Sequence, residues 1–264
     1  MNFTVYKYAG KIPDDTVVSP PVPMGDIDLY QLRCSKRDAT VYGVVLTFVE
    51  RKKTITASVI KGLVDEIEAA NSGYLFTAHQ RKTVSAEIRA ELLPKQLPTN
   101  TEYAVLFMEG YVVISTRSST AVGHIVHALR LHADVQAFEH LRPTPVDIAC
   151  LWEAGSVWDY NISGLISMCH PSASAASITE SNKTSAAVSD LLQRGYTAAA
   201  FAMQDDTSSF YIATSGLAQV ALSQATKHET ATYADDIGKD RQVVEFAVLA
   251  QLIVPAYAEV CRGR

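Results

Sequence analysis

Cysteine is scarce and scattered in this chain. Cys34, Cys150, Cys169 and Cys261 stand far apart with no C-x-x-C among them, which reads as buried or incidental thiols in a reducing compartment. Long apolar runs are lacking too. No stretch approaches the roughly 18 residues that span a bilayer, and the opening MNFTVYKYAGKIPDD has no apolar signal-peptide core. A cytoplasmic protein without a membrane partner is expected. Phosphate-binding and nucleophile signatures are missing: there is no G-x-x-x-x-G-K-[ST], no G-x-G-x-x-G opening a helix and no G-x-S-x-G. That argues against an ATPase, a dinucleotide enzyme and an elbow-type hydrolase, and no cofactor is called for. Positive charge is in deficit as well, with a net charge of −5. Any nucleic-acid partner must therefore be held by a local basic patch rather than by the field of the whole chain.

What the chain does have is a core. Of its 264 residues 48% are hydrophobic and only 19% charged, which fits one large folded domain or two to three small ones, not disorder. FTVYKY (3–8) and VYGVVLTFVE (41–50) read as strands, and the Pro-rich IPDDTVVSPPVPMGDID (12–28) as a loop. Ile55, Val59, Ile60, Leu63, Val64 and Ile67 recur at the helical period, with Thr54 or Thr56 as a cap. Val84, Ile88 and Leu92 repeat the pattern over 78–93, and Pro94 ends it. A hairpin over 102–116 turns at Glu109-Gly110. Helices are predicted over 118–132 and 144–155, and another at 185–195 precedes a second hairpin around Asp205-Asp206. CHPSASAASITESNKTS (169–185) reads as a loop or flap, and 241–260 as a long apolar helix bent or restarted at Pro255. The order helix then hairpin occurs twice, without sequence identity between the copies. The predicted class is α+β, with mainly antiparallel sheets and packed helices. Three regions are expected: a central one from 1–50 and 100–150, a helical pair at 51–99, and a C-terminal α+β region at 151–264.

Candidate chemistry is thin. His124 and His127 share a helix face with His132 nearby, but a metal site needs a third ligand and its supporting partners, and solvated helix residues are the simpler reading. Cys169 and His170 are neighbours on an extended chain and point opposite ways. The acidic pairs Asp26/Asp28, Asp205/Asp206 and Asp235/Asp236 do not converge in spacing as a two-metal nuclease requires, and Asp205-Asp206 sits where a hairpin turn favours Asp. No catalytic or metal residue is assigned.

The cations are more informative. Arg51, Lys52, Lys53, Lys61, Arg81, Lys82, Arg89, Lys95 and Arg117 all fall within 51–117. Arg81, Lys82 and Arg89 share one side of the second helix, because seven or eight residues make two turns. Such a patch neutralises phosphates by counterion release without reading bases. Tyr74 and Phe76, between the two helices, are candidates for touching DNA or a partner, with a core or dimer role equally open for Phe76.

KKTITASVIKGLVDEIEA, RKTVSAEIRAELLPKQL and YVVISTRSSTAVGHIVHALR, in that order, resemble the RdgC family of bacterial recombination-associated DNA-binding proteins. The matching stretches are Lys53-Thr54-Ile55-Thr56, Leu92-Leu93-Pro94-Lys95, Val113-Ile114-Ser115 and Ala128-Leu129-Arg130. VYKY (5–8), PPVPMG (20–25), LWEAG (151–155) and DLLQRGYTAAAFAM (190–203) continue the order over nearly the whole chain. The resemblance implies a ring-forming homodimer whose hole is lined by basic side chains. It implies binding of single- and double-stranded DNA with little sequence preference, restraint of a RecA-type recombinase, and a place at the nucleoid. The family carries no established nuclease site, although it is often labelled an exonuclease. On this reading the DNA-binding residues are Lys53, Lys61, Arg81, Lys82, Arg89, Lys95, Arg117 and Lys183.

Departures from the family are specific. Lys95 replaces the usual Arg and Leu97 a common aromatic, while GYLFTAH and ITESNK stand where the family has basic runs, leaving only Lys183 in the latter. A shortened, divergent member of this sort fits a phage or mobile-element copy. The alternatives are a metal-dependent exonuclease and a protein that inhibits a recombination or defence factor without touching DNA.

Overall fold

The run GVVLTFVERK sends alternate side chains to opposite faces of a strand, and the fold uses both faces. The computed structural model describes residues 1–10, 22–24, 28–40, 43–71, 74–132, 135–172 and 183–262, with 22–24, 28–40, 131–132 and 135–137 described in backbone only. In chain order, β1 (Thr4–Gly10), β2 (Val22–Met24), β3 (Asp28–Thr40) and β4 (Gly43–Lys52) precede α1 (Ala57–Ala70), α2 (Ala78–Leu92) and a 3-10 turn at Leu93–Lys95. Next come β5 (Thr99–Met108), β6 (Tyr111–Ile114), α3 (Ser119–His132), β7 (Val135–His140), α4 (Pro145–Ala154), β8 (Ser156–Val157) and β9 (Tyr160–Cys169). The last elements are α5 (Ala186–Gln193), β10 (Thr197–Gln204), β11 (Ser208–Ala213), β12 (Gly216–Leu222), α6 (Gln224–Asp236) and α7 (Arg241–Val260).

Among the described residues seven strands form one sheet in the order β2-β3-β4-β5-β6-β1-β7, and five form a second in the order β12-β11-β10-β9-β8. Every pairing is antiparallel, so the chain has the α+β class with antiparallel sheets that its pattern predicts. Val45, Leu106 and Val113 point from the larger sheet into a core shared with the smaller sheet, α4, α5 and α7. Leu46, Phe48, Val105, Phe107, Val112 and Ile114 point the other way, against the apolar side of α3.

Helix α7 has the length and composition to cross a bilayer, with a mean hydropathy of 1.6, although no apolar run of that length was expected from the sequence. It packs on strands of both sheets and buries Phe246, Leu249, Ile253 and Tyr257 in their common core. The helix continues through Pro255. Because this core draws on both ends of the chain, the boundary expected at 150/151 falls inside α4 rather than between two cores.

Local signals explain the helix ends. Thr77 with Gln80 and Thr144 with Asp147 form reciprocal capping boxes at the starts of α2 and α4. Gly155 closes α4 at φ 79°, in the left-handed region that glycine enters without steric cost. Thr56 occupies the cap position of α1, but its hydroxyl lies 3.1 Å from Ser58 Oγ rather than on the backbone.

The acidic pair of the second hairpin has a structural job. Asp205 Oδ1 accepts from the Thr207 N–H at 2.9 Å and the Ser208 N–H at 2.6 Å, which closes the turn from β10 to β11. Asp205→Ala is expected to destabilise the protein by about 1–2 kcal/mol and Asp206→Ala by less than about 0.5 kcal/mol in urea unfolding; equal effects would contradict this assignment.

Candidate nucleic-acid interface

The β4–β5 ladder ends with Lys52 opposite Thr99, and the 53–98 excursion leaves and returns at that rung. Within it α1 and α2 pack on each other through a small core of their own: Ile55, Ile60, Val64 and Leu93 are buried, with Phe76, Val84, Ile88 and Leu92 packed against them. Val59 on α1 is left 50% exposed, and at the hairpin tip Tyr74 and Leu75 face solvent.

Between the helices runs a groove of about 420 Å³. Ile60 and Val64 contribute its apolar floor, and Lys61, Arg81, Lys82 and Arg89 its charged lining, with no carboxylate among the described residues that line it. Arg81, Ser85 and Arg89 fall at i, i+4 and i+8, which puts them in one row on α2. Lys61 and Lys82 are exposed, with no ion-pair partner among the described residues.

Arg81 is committed elsewhere. Its Nε donates to Glu68 Oε1 at 2.9 Å, a second guanidinium nitrogen donates to Glu68 Oε2, and Asp65 lies 3.5 Å away. Glu68 is only 4% exposed and also accepts from the Phe76 N–H at 2.8 Å. The Arg81 hydrogen bond, helped by the Phe76 N–H, holds the Glu68 carboxyl below the usual range despite burial, and Glu68 in turn raises Arg81. The two residues clamp α1 to α2, so Arg81 shapes the groove more than it charges it.

A folded-state carboxyl pKa held below its unfolded value, about 4.3, stabilises the hairpin above that value and loses its effect as pH falls through the depressed one. Amide exchange in 57–92 is therefore expected to speed up on acidification below about pH 4 before the sheet cores respond, and Glu68→Gln to bring the same loosening at neutral pH. Unchanged exchange in the variant would refute the clamp.

The remaining candidates scatter. Lys53 Nζ donates to the Pro94 carbonyl at 2.8 Å, and Lys95 pairs with Glu91 at 2.9 Å, both at the base of the hairpin. Arg117 lies past β6, reaching Ser215 Oγ at 3.3 Å. Lys183 donates to the Trp152 carbonyl and sits 5.0 Å above that indole ring, bound to α4 rather than to the hairpin. The structure thus gathers Lys61, Arg81, Lys82 and Arg89, sets Lys53 and Lys95 at their root, and places Arg117 and Lys183 elsewhere.

Other candidates are engaged in structure. Asp235 accepts two hydrogen bonds from Arg241, and Asp26 lies outside the described residues. His170 accepts from the Ser172 N–H and packs on Tyr196, while Cys169 Sγ faces Thr197. His124 is half-buried and its pKa is lowered by that burial. Among the described residues no three His, Cys, Asp or Glu side chains are grouped to hold a metal. An S-x-x-K spacing, not expected among the nucleophile signatures, is present at Ser58 and Lys61. Both are exposed, whereas a lysine that activates serine must be desolvated. No protein-family model matches the chain, and no curated protein matches it.

Proposed function

We propose that this chain is a sequence-independent DNA-binding protein, for single and double strands, which acts as a homodimer and modulates homologous recombination by restraining a RecA-type recombinase. The observation that carries the DNA reading is the carboxylate-free groove between α1 and α2, where Lys61, Lys82 and Arg89 stand over an apolar floor. Lysines without acid partners on an anionic chain give a local site for sugar-phosphate, with no base-reading element needed. The pairing into a dimer and the recombinase partner rest on the resemblance to the RdgC family.

Fluorescence anisotropy with labelled oligonucleotides of unrelated sequence tests the reading. Similar affinities across sequences are expected, with a uniform loss in Lys61→Gln/Lys82→Gln. No binding at low salt, or full binding by the double variant, would overturn it. Capture of a recombinase that survives nuclease treatment, with no DNA shift, would select a protein-directed inhibitor instead. Magnesium-dependent degradation of the oligonucleotide would select a nuclease.

A further inference from the structure

Arg117, separated from the groove, lines a second cavity of about 390 Å³ bounded by β1, the start of α3, Arg142 after β7, and the turn into β12. Its charged lining is Arg117 and Arg142, with His140 beside them and no carboxylate among the described residues. Among the described residues neither arginine has an acid partner. Arg142 Nε donates to His140 Nδ1 at 2.6 Å, so that nitrogen acts as an acceptor. Burial, then Arg142, pushes His140 down to about 4, keeping it neutral. The imidazole stacks on Tyr6 with ring centroids 4.8 Å apart and 22° between planes. Both guanidiniums act on the buried Tyr257 hydroxyl, opposing the upward shift that burial gives it, while that hydroxyl donates to the Leu141 carbonyl at 2.9 Å. The two cations line the same cavity, and Phe3, Val5 and Leu217 supply apolar wall.

Two guanidinium forks without carboxylate partners, in a concave and partly apolar site, match a doubly charged phosphate attached to an organic body. We propose that this cavity binds the phosphate monoester of a nucleotide, with the phosphate between Arg117 and Arg142 and the organic part towards the Tyr6–His140 stack. The source is either a free mononucleotide or the 5′-terminal phosphate of a DNA strand. The proposal is independent of the groove between α1 and α2.

Calorimetric titration of the full chain with adenosine 5′-monophosphate, and with adenosine, tests it. The monophosphate is expected to saturate the site below about 1 mM, and adenosine to bind about tenfold or more weakly. Arg117→Gln/Arg142→Gln is expected to lose that advantage, while Lys61→Gln/Lys82→Gln changes monophosphate binding by less than about twofold. Arg142→Lys keeps the charge, drops the fork and leaves the fold undisturbed; a loss of about three- to tenfold is expected. No saturation by the monophosphate, equal affinity for the two ligands, or wild-type binding by either arginine variant would overturn the proposal. The source is read with 5′-phosphorylated and 5′-hydroxyl oligonucleotides. A gain of about fivefold from the phosphate, erased in the arginine double variant, assigns a strand end; monophosphate binding without that gain assigns a free nucleotide.

Discussion

DNA affinity is expected to fall about 150-fold between roughly 50 and 200 mM monovalent salt if all four groove cations neutralise a phosphate, because each adds about −0.9 to the logarithmic slope. The Glu68 clamp alters that number. With Arg81 held by Glu68, Lys61 and Lys82 alone give a slope of about −1.8 and a loss of about 12-fold. In Lys61→Gln/Lys82→Gln the slope falls by a further 1.8 or so. A homodimer that lays DNA across both of its grooves doubles these slopes. Binding that ignores salt would remove the electrostatic reading altogether, and a slope unchanged in the double variant would move the contacts to other cations.

Phe246→Ala is expected to cost about 3–5 kcal/mol, a large share of the roughly 5–15 kcal/mol that holds a domain folded. Phe246 is buried on α7 and meets Phe3 edge-on, with centroids 5.2 Å apart and planes at 88°. Phe3 immediately precedes β1 in the larger sheet, and α7 also packs on β11 and β12 of the smaller one, so the cavity loosens both sheets at once. The thermal midpoint is expected to drop by about 10 °C, with near- and far-ultraviolet dichroism lost together. A cost under about 1 kcal/mol would mean that the sheets do not depend on α7 for their common core.

Elements with a clean period are legible in the sequence, and those with interrupted periods are not. β4, α1, α2, the β5–β6 hairpin and α7 all carry unbroken runs and lie where the pattern places them. β9 is masked by Gly164 and by Leu165 at φ 48°, with shifts in its register against β10, so its apolar residues do not alternate. β12 has the same problem at Gln219, φ 51°, and is rich in alanine. α6 buries only Thr230 and Ala234, too little to form a stripe; its Ser223 cap, which accepts from the Thr226 N–H, is the only local cue. At the candidate site, spacing alone puts Arg81, Lys82 and Arg89 on one side of α2. The capture of Arg81 by Glu68, thirteen residues earlier, depends on how the two helices cross and leaves no mark in either sequence. The Arg117–Arg142 cavity is hidden for a similar reason: its walls come from β1, α3 and β12, which only the folded chain brings together.

The single rung at which the helical pair is attached, Lys52 opposite Thr99, makes it a cassette. A short reverse turn bridges two antiparallel strands at that spacing equally well, so the sheet does not depend on what is inserted there, and the insert carries its own apolar centre. Exchange of the cassette can then alter the charge and shape of the α1–α2 surface, or graft it onto another ladder end, while leaving the two sheets to evolve under different constraints.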